Sequence, residues 1–140
     1  MGSKGGLIPV RFLVTLGQML GIIFLLYSKG DHVRAALPFD YDKEEYKDAE
    51  RSFEAAIGLS IAFLIVELIG LLAGVSLFFT AVAFVDSLLH GLGCVLLVMF
   101  ITNEWRSETL WILFPFISLV PFVCEVWAFV AVFGLQVMPY

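Results

Sequence analysis

The chain has 140 residues, 61% of them hydrophobic and 15% charged, with a formal net charge of −5. A water-soluble domain of this length needs a denser charged surface. The two cysteines and two histidines form no C-x-x-C pair or Cys/His cluster, so neither a disulfide framework nor a metal site is indicated. The composition fits one integral membrane domain over residues 1–140, an all-α four-helix bundle with spans at about 7–27, 53–76, 81–101 and 110–135.

The first apolar run extends from about Leu7 to Tyr27. At a rise of about 1.5 Å per residue it can cross a hydrocarbon core of about 30 Å. It is too long for a signal-peptide core and no convincing cleavage site follows, so it reads as a retained span. Arg11 sits near its start, where a long side chain can snorkel to the headgroups. Gly17 and Gly21 have the G-x-x-x-G spacing that lets a second backbone approach closely.

A polar loop is expected at about 28–52. Pro38 argues against a continuous helix through it. Asp42 and Glu45 have the spacing of a capping box. The stretch from Lys43 to Glu54 should be helical and run into the second span, its alternating charges forming a solvated face.

From Phe53 to Ile101 apolarity is almost unbroken, too long for one span. Two helices must fold back on each other as antiparallel neighbours. Gly74, Ser76 and Thr80 are the only break signals, and the turn is expected between about Ser76 and Ala81.

Thr102 to Thr109 forms a second polar loop, and the fourth span begins near Leu110. Pro115 and Pro121 lie inside that span. Each removes a backbone donor, and neighbouring helices can satisfy the freed carbonyls. Trp105, Trp111 and Tyr140 are placed for the membrane interfaces. The two loops carry Lys29, Arg34, Lys43, Lys47, Arg51 and Arg106, against Lys4 and Arg11 on the side of the termini. That bias favours cytoplasmic loops, while the acidic residues interleaved from Lys43 to Arg51 weaken it.

Four ionisable residues fall within spans: Glu67, Asp86, His90 and Glu125. A charge at the bilayer centre costs at least about 2.5 kcal/mol, so these groups should face other helices or be neutral. Glu67, Gly70 and Gly74 share a helix face, with Gly70 and Gly74 offering a flat packing surface. Asp86 and His90, four residues apart, are spaced for a mutual ion pair or hydrogen bond. Ser118, Pro121 and Glu125 share a face of the fourth span. Counting along the helices puts Glu67, His90 and Glu125 in the middle or the terminus-side half of the bilayer and Asp86 shallower, so one buried cluster is feasible.

Interhelical hydrogen bonding, at roughly 1 kcal/mol per contact, is the favoured reading of these groups. The alternative is a small proton-coupled transporter or carrier using Glu67, His90 and Glu125. Transport sites tend to use broken helices and internal repeats, and no repeat is evident here. With no H-E-x-x-H, G-x-S-x-G or phosphate-cradling glycine loop, no enzyme, catalytic residue, metal or cofactor is expected.

A set of short matches runs the length of the chain. They are Gly6-Leu7-Ile8-Pro9, Arg11-Phe12-Leu13, Leu37-Pro38 and Glu44-Glu45-Tyr46, then Val66-Glu67-Leu68 with Gly70, Gly74-Val75-Ser76 and Phe78. His90, Trp105, Trp111, Pro121 and Glu125 follow, and the end reads Phe129-Val130, Val132-Phe133-Gly134-Leu135 and Pro139. In this order and spacing the sequence resembles the transmembrane protein 107 family of four-span proteins. The resemblance implies a non-enzymatic scaffold of the ciliary transition zone at the base of the primary cilium. That role supports cilium assembly, ciliary membrane composition and Hedgehog signalling. The implied partners are the lipid bilayer and other transition zone membrane proteins of the Meckel-syndrome module, with room for a homo-oligomer and no part for nucleic acid.

Overall fold

Helix α1 runs from Gly2 to Ala36, well beyond the apolar run, in a computed structural model that describes residues 2–136. The expected span ended at Tyr27 and the expected loop opened at Ser28. Neither boundary is seen, because nothing between Ser28 and Ala36 stops a helix apart from the single Gly30, and because His32 and Val33 are buried against the bundle. Pro38 then disfavours helical geometry at Leu37, and the connection is only residues 37–42.

Helix α2 spans Lys43–Leu72. Its start is fixed by the capping box: Asp42 Oδ1 accepts from the backbone N–H groups of Glu44 and Glu45, and Glu45 returns a carboxylate to the N–H of Asp42. At about 45 Å, α2 is longer than the hydrocarbon core is thick, so its charged first turns project into water with the end of α1. Lys29 bridges Glu50 and Glu54 across that projection.

The turn between the second and third spans comes earlier than expected. Helix α2 stops at Leu72; Gly74 adopts φ 78°, and a single 3-10 turn covers Val75–Phe78. A positive φ is what glycine accepts without a Cβ clash, so Gly74 terminates the helix and is not part of its packing face. A Cβ built there would meet nothing closer than Leu77 Cδ1 at 3.9 Å. Helix α3 follows as Thr80–Thr102.

Helix α4, Glu108–Gly134, crosses the membrane with two wide turns in its ladder, at Pro115–Leu119 and Val130–Gly134. In the first the N–H of Val120 reaches back five residues to Pro115, and in the second Leu135 does the same to Val130. All four helices are long and apolar enough to cross a bilayer. The outward positions are apolar, among them Leu13, Phe24, Leu88, Val98, Ile112 and Phe133, as a lipid-facing surface requires. Tyr140, expected at an interface, lies outside the described residues.

Around the bundle the order is α1, α2, α4, α3. Helix α1 packs closely on α2 and α3, and α4 on the same two. The expectation that spans two and three are side-by-side neighbours is therefore incorrect. The seven residues from Ala73 to Phe79 carry the chain across a diagonal of the bundle. Gly17 and Gly21 do provide a close approach: a Cβ at 17 would lie 3.2 Å from Cys94 Sγ, and one at 21 would lie 3.1 Å from Leu97 Cδ1. The apolar core lies toward the loop end, around Ile22, Leu25, Phe53, Ile57, Leu64, Leu97, Phe100 and Leu110.

Candidate functional site

The terminus-side half of the bundle is filled by polar groups in two tiers. The outer tier centres on Arg11, which is 1% exposed. Its Nη1 donates to Ser76 Oγ at 2.6 Å, and its Nη2 donates to Asp86 Oδ2 at 2.8 Å and to Glu125 Oε2 at 2.7 Å. One guanidinium thus ties α1 to the turn after α2, to α3 and to α4. The expected snorkelling of Arg11 does not occur. Its planar fork of donors finds two carboxyls and a hydroxyl inside the bundle, contacts that headgroup water would otherwise have to replace.

The inner tier lies about two turns deeper on α1. Gln18 Nε2 donates to the carbonyl of Ile117 at 2.7 Å. Its Oε1 is 2.8 Å from His90 Nδ1. With the amide nitrogen of Gln18 already directed at a carbonyl, Oε1 is the acceptor and His90 Nδ1 carries the hydrogen. The other ring nitrogen, Nε2, is 2.6 Å from Glu67 Oε2. The two atoms are in close contact without forming a hydrogen bond.

Local sequence explains the partners. Pro121 has no N–H to offer the carbonyl of Ile117 four residues before it, and that carbonyl accepts from Gln18. Gly93 on α3 makes room for the Gln18 amide, because a Cβ there would be 2.6 Å from Oε1 and 3.0 Å from Cδ. Gly70 on α2 does the same for the Glu125 carboxyl and the Phe129 ring.

The polar side chains also bridge the bundle's diagonals, where backbones stand apart. Glu67 to His90 joins α2 to α3, while Arg11 to Glu125 and Gln18 to Ile117 join α1 to α4. Short side chains could not span these distances, so long polar residues occupy the centre.

The structure brings Glu67, Gly70, Asp86, His90 and Glu125 into this region, all buried or, for Gly70, in contact with it. Gly74 stands apart in the turn. The expected Asp86–His90 contact does not form. Asp86 turns to Arg11 and His90 to Gln18 and Glu67, because charged or amide partners on facing helices outcompete a neighbour on the same helix. Sequence reasoning missed the roles of Arg11, Gln18 and Ser76. The signal was present: Arg11, Thr15 and Gln18 recur at four- and three-residue spacing and continue into Ile22 and Leu25, and all five are buried.

A second polar contact closes the loop end. His32 Nδ1 is 2.8 Å from the Trp105 carbonyl, its ring packs on Phe100 with centroids 4.6 Å apart, and its own carbonyl accepts from the Ser107 N–H at 3.0 Å. Trp111 Nε1 donates to Ser52 Oγ at 2.9 Å. No group of three or more His, Cys, Asp and Glu side chains among the described residues is arranged to hold a metal ion.

The family model TMEM107, described as a transmembrane protein, matches residues 7–129. The chain belongs to the TMEM107 family. Transmembrane protein 107 of Homo sapiens and that of Mus musculus are each 36% identical to it over 140 residues, the full length of both chains. Transmembrane protein 107 of Danio rerio is 30% identical over 125 residues, covering 89% of this chain and 93% of that one. No solved structure matches the chain. Every residue of the two polar tiers lies inside the stretch that the TMEM107 model covers, so the buried cluster belongs to the part of the chain by which it is assigned to the family.

Proposed function

We propose that this TMEM107-family protein is a non-enzymatic membrane scaffold of the ciliary transition zone, supporting cilium assembly, ciliary membrane composition and Hedgehog signalling. The observation carrying the reading is the full-length similarity to proteins named transmembrane protein 107, at 36% identity with no part of either chain left over. The core supports it physically. Its polar side chains point at one another and cross-link four helices, and Glu125 and Phe129 fill the space beside Gly70 between α2 and α4. A bundle cross-braced in this way holds its outer faces in fixed relation, which suits lateral docking of other transition zone membrane proteins of the Meckel-syndrome module.

The test is localisation of the tagged chain in ciliated cells with recovery of co-purifying membrane proteins. A ring at the ciliary base is expected for the unaltered chain, and loss of that ring for Gly70→Leu at matched expression. A uniform plasma-membrane or organelle signal for the unaltered chain would overturn the proposal.

A further inference from the structure

The formal charges in the membrane core do not sum to zero. Three buried carboxyls, Glu67 from α2, Asp86 from α3 and Glu125 from α4, face one guanidinium, Arg11 from α1, and one imidazole, His90 from α3. The remaining groups around them are uncharged. They are Thr15 and Gln18 on α1, Ser76 in the turn, Ser118 on α4, and the thiols Cys94 and Cys124, of which Cys94 donates to the Val14 carbonyl at 3.3 Å.

The inner tier balances by itself. His90 Nδ1 holds a hydrogen for Gln18, and at 2.6 Å Nε2 and Glu67 Oε2 are too close for two bare lone pairs, so one of the two atoms carries a proton. Whether that proton is nearer nitrogen or oxygen, the pair is neutral as a unit. The imbalance therefore falls on the outer tier, where one guanidinium that cannot lose its proton meets two carboxyls. An uncompensated charge in this setting is relieved by protonation.

We propose that the outer tier is a proton-binding site: Asp86 is a carboxylic acid, protonated on Oδ1, and exchanges that proton with water on the side of the termini. Each of the two carboxyls has one oxygen on Arg11 and the other, Asp86 Oδ1 and Glu125 Oε1, buried with no partner. The free oxygen of Glu125 is packed beside Gly70, next to the Phe129 ring, which leaves Asp86 as the carboxyl nearer the terminus-side surface. Close to Asp86, and lined by its partner Arg11, lies a small cleft of about 90 Å³ between the start of α1 and the turn, whose other walls are Leu7, Ile8, Leu77, Thr80 and Ala83. Ala83 is one helical turn before Asp86.

The test is infrared spectroscopy of the full chain in lipid vesicles at neutral pH. The expected result is a carboxylic-acid carbonyl band that shifts when H2O is exchanged for D2O, disappears in Asp86→Asn and persists in Glu125→Gln. The amide is close in shape and neutral, so Asp86→Asn should also leave the unfolding temperature near that of the parent while flattening its dependence on pH. The spectrum of the unaltered chain decides even if a variant fails to fold. Absence of any acid band in it overturns the proposal, as does acid-band intensity that Asp86→Asn leaves unchanged or that Glu67→Gln alone removes in full. A band that fails to shift in D2O overturns the exchange route.

Discussion

Gly70 on α2 and Glu125 on α4 occupy a single packing position: a Cβ at residue 70 would overlap the Glu125 carboxyl and lie 2.9 Å from Phe129 Cε2. The glycine is there because a carboxylate needs its volume. Gly70→Ala should cost about 1–3 kcal/mol through overpacking, and more if Glu125 is pushed off Arg11. Gly58→Ala is the control, since nothing lies within 4 Å of its Cβ position. Thermal unfolding of both variants in the same detergent would check this; equal unfolding temperatures would refute the interlock.

Arg11 holds two carboxyls and Ser76 in the outer tier. Arg11→Met leaves Glu125 without a cation and Asp86 without its donor, and breaking a buried pair from one side costs about 3–5 kcal/mol. Adding Asp86→Asn and Glu125→Gln removes what was stranded, so the triple variant should recover much of the loss. Comparing Arg11→Met, Asp86→Asn with Glu125→Gln, and the triple variant by urea or thermal unfolding tests coupling directly; additive losses would show that the contacts are energetically independent.

What the sequence made legible follows from where the physics is local. Four apolar runs, the Asp42/Glu45 cap and the burial of Glu67, His90 and Glu125 can be read from length, spacing and the cost of charge in lipid. The end of α1 could not be, because polarity at Ser28 suggests a loop whereas continuation of the helix to Ala36 is decided by tertiary burial of His32 and Val33. Arg11 was misread for a related reason. Snorkelling is the low-cost solution for an isolated helix, and only three other segments converging on one position provide a better one. Gly74 lies on the helical face of Glu67 and Gly70 only if the helix continues, and the chain ends it there. The diagonal placement of α2 and α3 is likewise a property of the assembled bundle.

Gln18 serves two partners that have few alternatives: the Ile117 carbonyl beside Pro121, and His90 Nδ1. Gln18→Leu would leave both unsatisfied in an apolar setting. Polar contacts in membrane bundles are worth about 0.6–2 kcal/mol each, so a loss of about 1–3 kcal/mol is expected. Gln18→Glu keeps an acceptor for His90 but loses the donor to Ile117 and adds a fourth carboxyl to the buried core, so it should be no more stable than Gln18→Leu. Unfolding measurements on the pair would rank them, and a Gln18→Leu variant as stable as the parent would show that the inner tier contributes nothing.

At the water-exposed end, Asp42 caps α2 with two accepted N–H bonds. Asp42→Ala should cost about 0.5–2 kcal/mol. Because the first turns of α2 project beyond the bilayer, that cost should appear as local fraying. Amide exchange should rise at Glu44, Glu45 and Tyr46 and stay unchanged near Leu64. Uniform exchange along α2 would contradict a local cap.

Gly74 gives the sharpest separation between a backbone role and a packing role. Its φ of 78° costs an L-residue roughly 1–2 kcal/mol, while the space around it is open, with Leu77 Cδ1 at 3.9 Å. Substitution should therefore follow conformational preference and not size. Gly74→Asn should be tolerated best, Gly74→Ala should lose about 1 kcal/mol or more, and Gly74→Val should be worse still, because β-branching resists the left-handed region. Thermal unfolding of the three variants checks the order. If Asn and Val proved equally damaging, steric packing would be the governing effect, and Gly74 would belong after all to a helix-packing face.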